Sequence, residues 1–332
     1  DYNTVIGNSA GKDLTSGHSN VLLGADAGGN LTTSQDNVVI GREALLSGGA
    51  AHNYNVAIGS YALNVENSGA DGCVAIGYKA LQDQNVDGAG NTAIGHQAAL
   101  NLTTGQYSTY LGYNAGGLGE ITGNSNTVIG YNSGYDLTAG EDNVLIGKSA
   151  GQNFTNNSNN IVIGNDALES ADNGENHNIA IGTQALQLLN STAGDDIVAI
   201  GHQALKTLNV ASPKNVAVGF QAGTAATTAT ESCFIGYESG GAGTITGDEN
   251  TCLGYRTGKD LTSGAYNVFL GKDAGEKVTT GNSNIAIGVN AMEAAVAGNN
   301  YNIAIGHSAL MTENSSAGSC IAIGYEALKL QN

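Results

Sequence analysis

Every 17 or 18 residues, and once after 19, the chain returns to one pattern: a polar residue, three apolar or β-branched residues, then glycine. The phrase reads Asn-(Thr/Val/Ile)-x-(Ile/Leu/Val)-Gly, as in Asn91-Thr92-Ala93-Ile94-Gly95. Its glycines are Gly7, Gly24, Gly41, Gly59, Gly77, Gly95, Gly112, Gly130, Gly147, Gly164, Gly182, Gly201, Gly219, Gly236, Gly254, Gly271, Gly288, Gly306 and Gly324. A fixed period of this size marks a stacked repeat. It predicts an all-β chain, a parallel β-solenoid or β-roll of about 19 coils of 17–18 residues spanning 1–332 as one continuous body. At about 4.8 Å per coil the stack would be about 90 Å long. The hand of the coil is open, with left preferred.

The residue before each glycine is Ile, Leu or Val, and the residue three before it is Val, Ile, Thr or once Cys. These two share a face of a strand and are mostly β-branched, which predicts that they fill the inside of the coil. The residue two before the glycine points the other way and is Ala, Val, Leu, Phe, Tyr or Cys. Both faces are therefore expected to be covered, the second by more of the chain or by another subunit.

Downstream of the glycine there are two kinds of coil. One reads Gly-x-x-Ala-Leu, as at Gly77–Leu81, and the other Gly-x-x-Ala-Gly, as at Gly147–Gly151. Coils with the later Leu usually carry Ala two before the glycine (Ala75, Ala180), and coils with the later Gly a large residue there (Leu22, Tyr110, Phe234, Phe269). That exchange is volume compensation in a packed layer. Alternation at Leu63 and Val65, Leu186 and Leu188, and Leu328 and Leu330 suggests a second short strand, with one helical turn as the rival. Gly-, Asn- and Asp-rich loops such as residues 85–90 close the coils.

A longer period overlies the short one. Residues 112–123 match 236–247, and Lys12-Asp13-Leu14-Thr15-Ser16-Gly17 recurs as Lys259-Asp260-Leu261-Thr262-Ser263-Gly264. The offset is 123 or 124 residues, a seven-coil super-repeat.

The glycine has no exception in nineteen coils, so its corner requires either positive φ or a close backbone approach. The leading Asn appears fourteen times, replaced by Cys73, Ser108, Ile197, Ser232 and Cys320. Stacked at one corner, amides such as Asn91, Asn143 and Asn178 would form a ladder. An Asn array binding ice, metal or sugar is the functional rival.

Composition narrows the rest. Glycine is 50 of 332 residues, about twice the usual share of roughly 7%. The net charge of −18 argues against a nucleic-acid partner, which needs clustered Lys and Arg. No apolar run approaches the roughly 18 residues of a membrane span. The six histidines are scattered without metal spacing, His96 and His202 following the repeat glycine as outward turn residues. Acidic pairs such as Asp195-Asp196 fall in loops and lack the dense pattern of calcium-binding repeats, with incidental calcium left open. No Gly-Lys-Ser/Thr makes a phosphate loop. Cys233 and Cys252 lie in neighbouring strands pointing to opposite faces, so the four cysteines are expected as buried thiols. The expectation is no catalytic residue, no cofactor and no metal site.

Phrases such as Asn91–Ala98 and Cys73–Leu81 resemble the head repeats of YadA-like trimeric autotransporter adhesins, and are similar to repeats of bacteriophage tail fibres and large bacterial surface-fibre proteins. The resemblance covers essentially the whole chain, although the coil is longer than in that head family. It implies a parallel β-roll, often three chains side by side, outside the cell, at the cell surface or on a virion. The function expected is the non-catalytic shaft of such a fibre. Its partner would be itself, as a homotrimer or an end-to-end polymer, without nucleic acid or membrane insertion. The rivals are an adhesin head gripping a host glycan or receptor through its loops, an ice-binding solenoid, and an enzyme on a β-helix. The chain begins in mid-register without Met, and is expected to be a piece of a longer repetitive polypeptide.

Overall fold

Three consecutive residues ahead of each glycine, β-branched or large apolar on either side of an apolar middle residue, make one three-residue strand per repeat, from Thr4–Ile6 to Ile321–Ile323, nineteen among the described residues. A computed structural model describes residues 2–46, 51–64, 71–84, 89–117, 119–171, 174–191, 193–211, 213–294, 298, 300–313 and 318–331. Among them there is no helix. The chain divides into two compact units, Asp1–Val162 and Ile163–Asn332, each a parallel β-solenoid.

In the first unit each strand pairs in parallel with the next, from Thr4–Ile6 on Val21–Leu23 to Thr127–Ile129 on Val144–Ile146. In the second the same holds from Ile179–Ile181 to Ile321–Ile323. The register never slips: Thr92 faces Thr109, Ala93 faces Tyr110 and Ile94 faces Leu111. Equivalent positions therefore stack into columns parallel to the solenoid axis.

The core lies on the side opposite to the sequence expectation. In every interior strand the middle residue is buried, while the residues on either side of it are half-buried or exposed. Tyr110, Phe234 and Phe269 are completely buried, whereas Leu111, Leu253 and Leu270 are about two-fifths exposed. Strand alternation was the right rule, but β-branching does not say which face is inside. The middle residue fills the coil, and the two flanking columns form the outer face of the sheet.

The seven-coil exchange of volumes has its cause in this interior. Four residues past the corner glycine, a side chain would enter the space that the middle residue of the strand fills. A Cβ on Gly116 would stand 2.5 Å from Cε1 of Tyr110, and one on Gly240 2.5 Å from Cδ1 of Phe234. Where the strand carries Ala75 or Ala180, Leu81 and Leu186 take the space and are fully buried.

The second strand expected after the Leu does not form at Leu63 or at Leu186–Leu188. These are turns, with φ of 50° at Leu63 and 52° at Leu186, and a helical turn is equally absent. Val65 and most of the 85–90 loop lie outside the described residues. A second pairing does exist in the second unit, where Thr312–Glu313 lies parallel to Leu330–Gln331.

What replaces it is an alternating backbone. In every coil φ is positive at the corner glycine, two and four residues after it, and five before it, as at Gly95 (140°), Gln97 (54°), Ala99 (47°) and Gly90 (55°). Alternating the sign of φ turns successive amides in opposite directions. Gln97 donates its N–H to the Tyr78 carbonyl of the preceding coil at 2.8 Å, and Ala99 to the Ala115 carbonyl of the following one at 2.9 Å. The turn is thus hydrogen-bonded along the axis as the strand is, leaving few orphaned backbone groups. Left-handed φ costs an ordinary residue about 1–2 kcal/mol, most for β-branched side chains. Apart from the corner glycine, those positions carry no Val, Ile or Thr in any of the nineteen repeats.

Candidate functional site

Three sets of columns, each set by a position in the repeat, make up what the strand side of each unit offers: the corner, the outer sheet face, and the residue just past the corner.

At the corner, all nineteen repeat glycines have φ between 127° and 145°. A Cβ on Gly95 would come within 2.2 Å of the Gly112 carbonyl oxygen, so positive φ and close approach act together. Beside them run the leading amides. In the first unit Asn91 donates through Nδ2 to the Gly105 carbonyl at 2.8 Å, and its Oδ1 accepts the backbone N–H of Ser108 at 2.8 Å. Asn143 donates through Nδ2 to the Asn126 side chain at 3.1 Å and the Asn157 carbonyl at 2.7 Å, and accepts the Asn160 backbone N–H at 3.0 Å. In the second unit Asn178 donates to the Gly194 carbonyl at 2.7 Å and accepts the Ile197 backbone N–H at 3.0 Å. All three are fully buried, so these amides hold the stack and face no solvent.

Replacements in this column have compensations. Ser108 and Ser232 accept the next backbone N–H through Oγ, at 3.0 Å from Asn126 and 3.1 Å from Asn250. At Cys73, Gln84 folds in from the loop, fully buried, donating to the Cys73 sulfur at 3.2 Å and accepting from Asn91 at 3.3 Å. Gln84 belongs to no repeated motif and is visible only in three dimensions.

The four cysteines are thiols, but only Cys73 and Cys252 are buried; Cys233 is partly exposed in an outer strand column, and Cys320, in the same column as Cys73, is partly exposed in the last coil of the sequence. Burial pushes the Cys252 thiol far up, and the Cys73 thiol less far.

Among the described residues no group of three or more His, Cys, Asp or Glu could hold a metal ion, and no helix is long and apolar enough to cross a membrane.

The outer face is different. Its two columns are Ile, Leu, Val and Thr, with one Cys, and in neither unit does any described part of the chain cover them. Next to them, just past the corner, stands a column with rings in consecutive coils. In the first unit Tyr78, His96, Tyr113 and Tyr131 stack with centroids 5.2, 4.9 and 5.6 Å apart, the last two pairs within 14° of parallel. In the second unit His202, Phe220, Tyr237 and Tyr255 stack at 5.3, 5.1 and 5.3 Å. Each member of one quartet is 124 residues from its counterpart in the other. His96 and His202 are turn residues here, but inside a stack of rings rather than isolated. The signal was the return of an aromatic residue at the same place in four consecutive repeats.

Charge singles out the same side. The chain has 29 acidic residues, yet none falls anywhere from three before the repeat glycine to one after it, in any of nineteen coils. Arg42, Lys148 and Lys272 are the only charged side chains there. These columns form an acid-free aliphatic and aromatic stripe on a chain of net charge −18.

The sequence matches no protein-family model and no curated protein. The class defined by fold and columns is a β-solenoid repeat protein whose outer strand face is apolar.

Proposed function

We propose that the chain is the non-catalytic shaft of an extracellular or virion fibre, in which copies of the chain lie side by side, three in number, with their outer strand faces together. The observation that carries this reading is the uncovered, acid-free stripe of β-branched residues. Contiguous exposed apolar surface of this kind marks an interaction site. Fully burying an exposed Ile or Val is worth about 1.5–3 kcal/mol, so covering one that is a third to two-fifths exposed is worth roughly 0.5–1 kcal/mol, and the repeat supplies two such positions per coil. A partner made of the same repeat presents matching columns at the same axial spacing. The face turned to the partner is thus the one flanking the middle residue of each strand, since that middle residue is occupied inside the coil. End-to-end stacking would add length by pairing terminal strands. The setting outside the cell or on a virion rests on the resemblance of the repeats.

The test is sedimentation velocity of the whole chain and of the double variant Val144→Glu, Val198→Glu, which puts a carboxylate into an outer column of each unit. The wild type is expected to sediment as an oligomer and the variant as a monomer with unchanged circular dichroism. A wild-type monomer at tens of micromolar would overturn the reading.

A further inference from the structure

The outer strand face has two flanks, and in the first unit they carry opposite charge. Alternation continues past both ends of each strand: the leading amide and the middle residue are buried, while the residue five before the repeat glycine and the residue just after it stand beside the two aliphatic columns. The column after the glycine holds Arg42 and Lys148 in the first unit, both exposed, and no acid. The column five before it holds Asp36 and Asp142, both exposed, and no cation. Each acid shares a coil with one of the cations, six residues ahead of it in the chain. Across six extended residues the two flanks are up to about 20 Å apart, so Arg42 and Asp36 of one copy do not meet. Arg42 lies instead with its Nε 4.0 Å from a Glu43 carboxylate oxygen and its guanidinium carbon 4.7 Å from the Tyr61 ring centroid. Among the described residues neither the Asp36 nor the Asp142 carboxylate makes a hydrogen bond or an ion pair.

We propose that these flanks join neighbouring copies of the chain in parallel: the column after the repeat glycine of one copy lies against the column five before the glycine of the next, with equivalent coils of the first unit at equal height. The occupant of each flank is a second copy of the same chain. The inference rests on the side-by-side reading above and on charge complementarity. In a closed ring of parallel copies every contact joins two different edges, so the cationic flank of each copy meets the acidic flank of the next. At equal height Arg42 faces Asp36 and Lys148 faces Asp142. A slip of one coil sets Arg42 against Tyr54 or Ser19 and Lys148 against Asn159 or Ser125, and no displacement within the first unit other than zero matches both pairs. The second unit, taken by itself, presents no conflict: at equal height His202 faces Asp196, Lys272 faces Tyr266, and no like charges meet in these two columns. Complementary charge of this kind fixes register and direction, while the aliphatic columns between the flanks supply the buried area.

The experiment uses the whole chain with Cys233→Ser and Cys320→Ser, which remove the two partly exposed thiols. Two copies are coexpressed, one carrying Lys148→Cys and the other Asp142→Cys, Ser125→Cys or Asn159→Cys, and are treated with a short bis-maleimide. Melting by circular dichroism checks that each variant folds, and mass spectrometry identifies the linked peptides. Adducts of position 148 with position 142 are expected in at least about five-fold excess over those with 125 or 159. A charge exchange reads the same contact without crosslinking. Lys148→Glu alone is expected to weaken association at least about ten-fold in sedimentation, and Lys148→Glu with Asp142→Lys to recover most of that loss, since opposed like charges are what the single variant introduces. Adducts with 125 or 159 in equal or greater yield overturn the proposal, as do adducts of 148 chiefly with 148 or a charge exchange that recovers nothing; each leaves side-by-side association standing. A wild-type monomer by sedimentation overturns both.

Discussion

Removing one amide from the buried ladder tests what holds adjacent coils together. Asn126 is the clearest choice. Its Oδ1 accepts the backbone N–H of Asn143 at 3.1 Å and its Nδ2 donates to the Gly140 carbonyl at 2.8 Å, while the side chain is 1% exposed. Asn126→Ala strips both, and also the 3.1 Å bond that Asn143 donates through Nδ2 to Asn126 Oδ1, although that Nδ2 keeps the Asn157 carbonyl. A buried group left unsatisfied costs about 1–3 kcal/mol, so two cost about 2–6 kcal/mol. Asn126→Ser should cost about half as much. Ser108 shows how a serine serves in this column, its Oγ accepting the next backbone N–H at 3.0 Å and donating two residues back to Gln106 at 3.1 Å. Only the Gly140 carbonyl then loses its donor. Stacked repeats open locally, so the assay is amide hydrogen exchange read at residue 143 rather than a global melt. The expected order of protection is wild type, then Ser, then Ala, with Ala losing at least about 2 kcal/mol. Protection at residue 143 unchanged within about 0.5 kcal/mol in the Ala variant, or a Ser variant as weak as Ala, would refute the view that the amide column binds coil to coil.

Two further outcomes follow from the interior. The Tyr110 hydroxyl is fully buried beside Ser108 and Asn126 but makes no hydrogen bond of normal geometry among the described residues, and the equivalent residue 124 positions on is Phe234, so Tyr110→Phe should stabilise the first unit by up to about 1 kcal/mol in denaturant unfolding. Gly116→Leu alone should destabilise by more than about 1 kcal/mol through overpacking on Tyr110, whereas Gly116→Leu with Tyr110→Ala recreates the Leu-type coil and should recover most of the loss; additive losses would contradict the shared volume. Burial raises the Cys252 and Cys73 thiols above their ordinary range in the folded chain. The folded state therefore keeps protons that the unfolded chain releases. Stability from these groups is fully present below about pH 8.5, where an unfolded thiol titrates, and falls as pH rises beyond it. The loss between pH 7 and pH 10, followed by denaturant midpoint, should be smaller in Cys252→Val.

The solenoid itself was legible because it needs only a period, and the period is unbroken. The glycine corner was legible too: a position that tolerates no side chain in nineteen coils states its own constraint, and Gly95 meets it with positive φ and a carbonyl 2.2 Å from where a Cβ would be. Which strand face is inside was not legible. Ile94 and Ala93 are both apolar, and binary pattern cannot rank them when neither face is polar. The volume exchange between Tyr110 and Gly116 held the information, since two residues that trade volume must share a space. The second strand predicted at Leu186 failed because an alternating φ pattern also places Leu186 inward and Leu188 outward. Its signature was an absence, the lack of β-branched residues at Gln184 and Leu186 and at their equivalents. The ring column was hidden in plain composition, since only its seven-coil recurrence separates it from scattered tyrosines.

The most direct test of the central proposal is an electron cryomicroscopy map of the assembled chain viewed in cross-section down the solenoid axis. It is predicted to show three solenoids related by a three-fold axis, with the strand columns around Ile94 and Leu111 turned toward that axis and the acidic loops outward. A solitary solenoid with those columns open to solvent, or copies meeting through their loops, would contradict it.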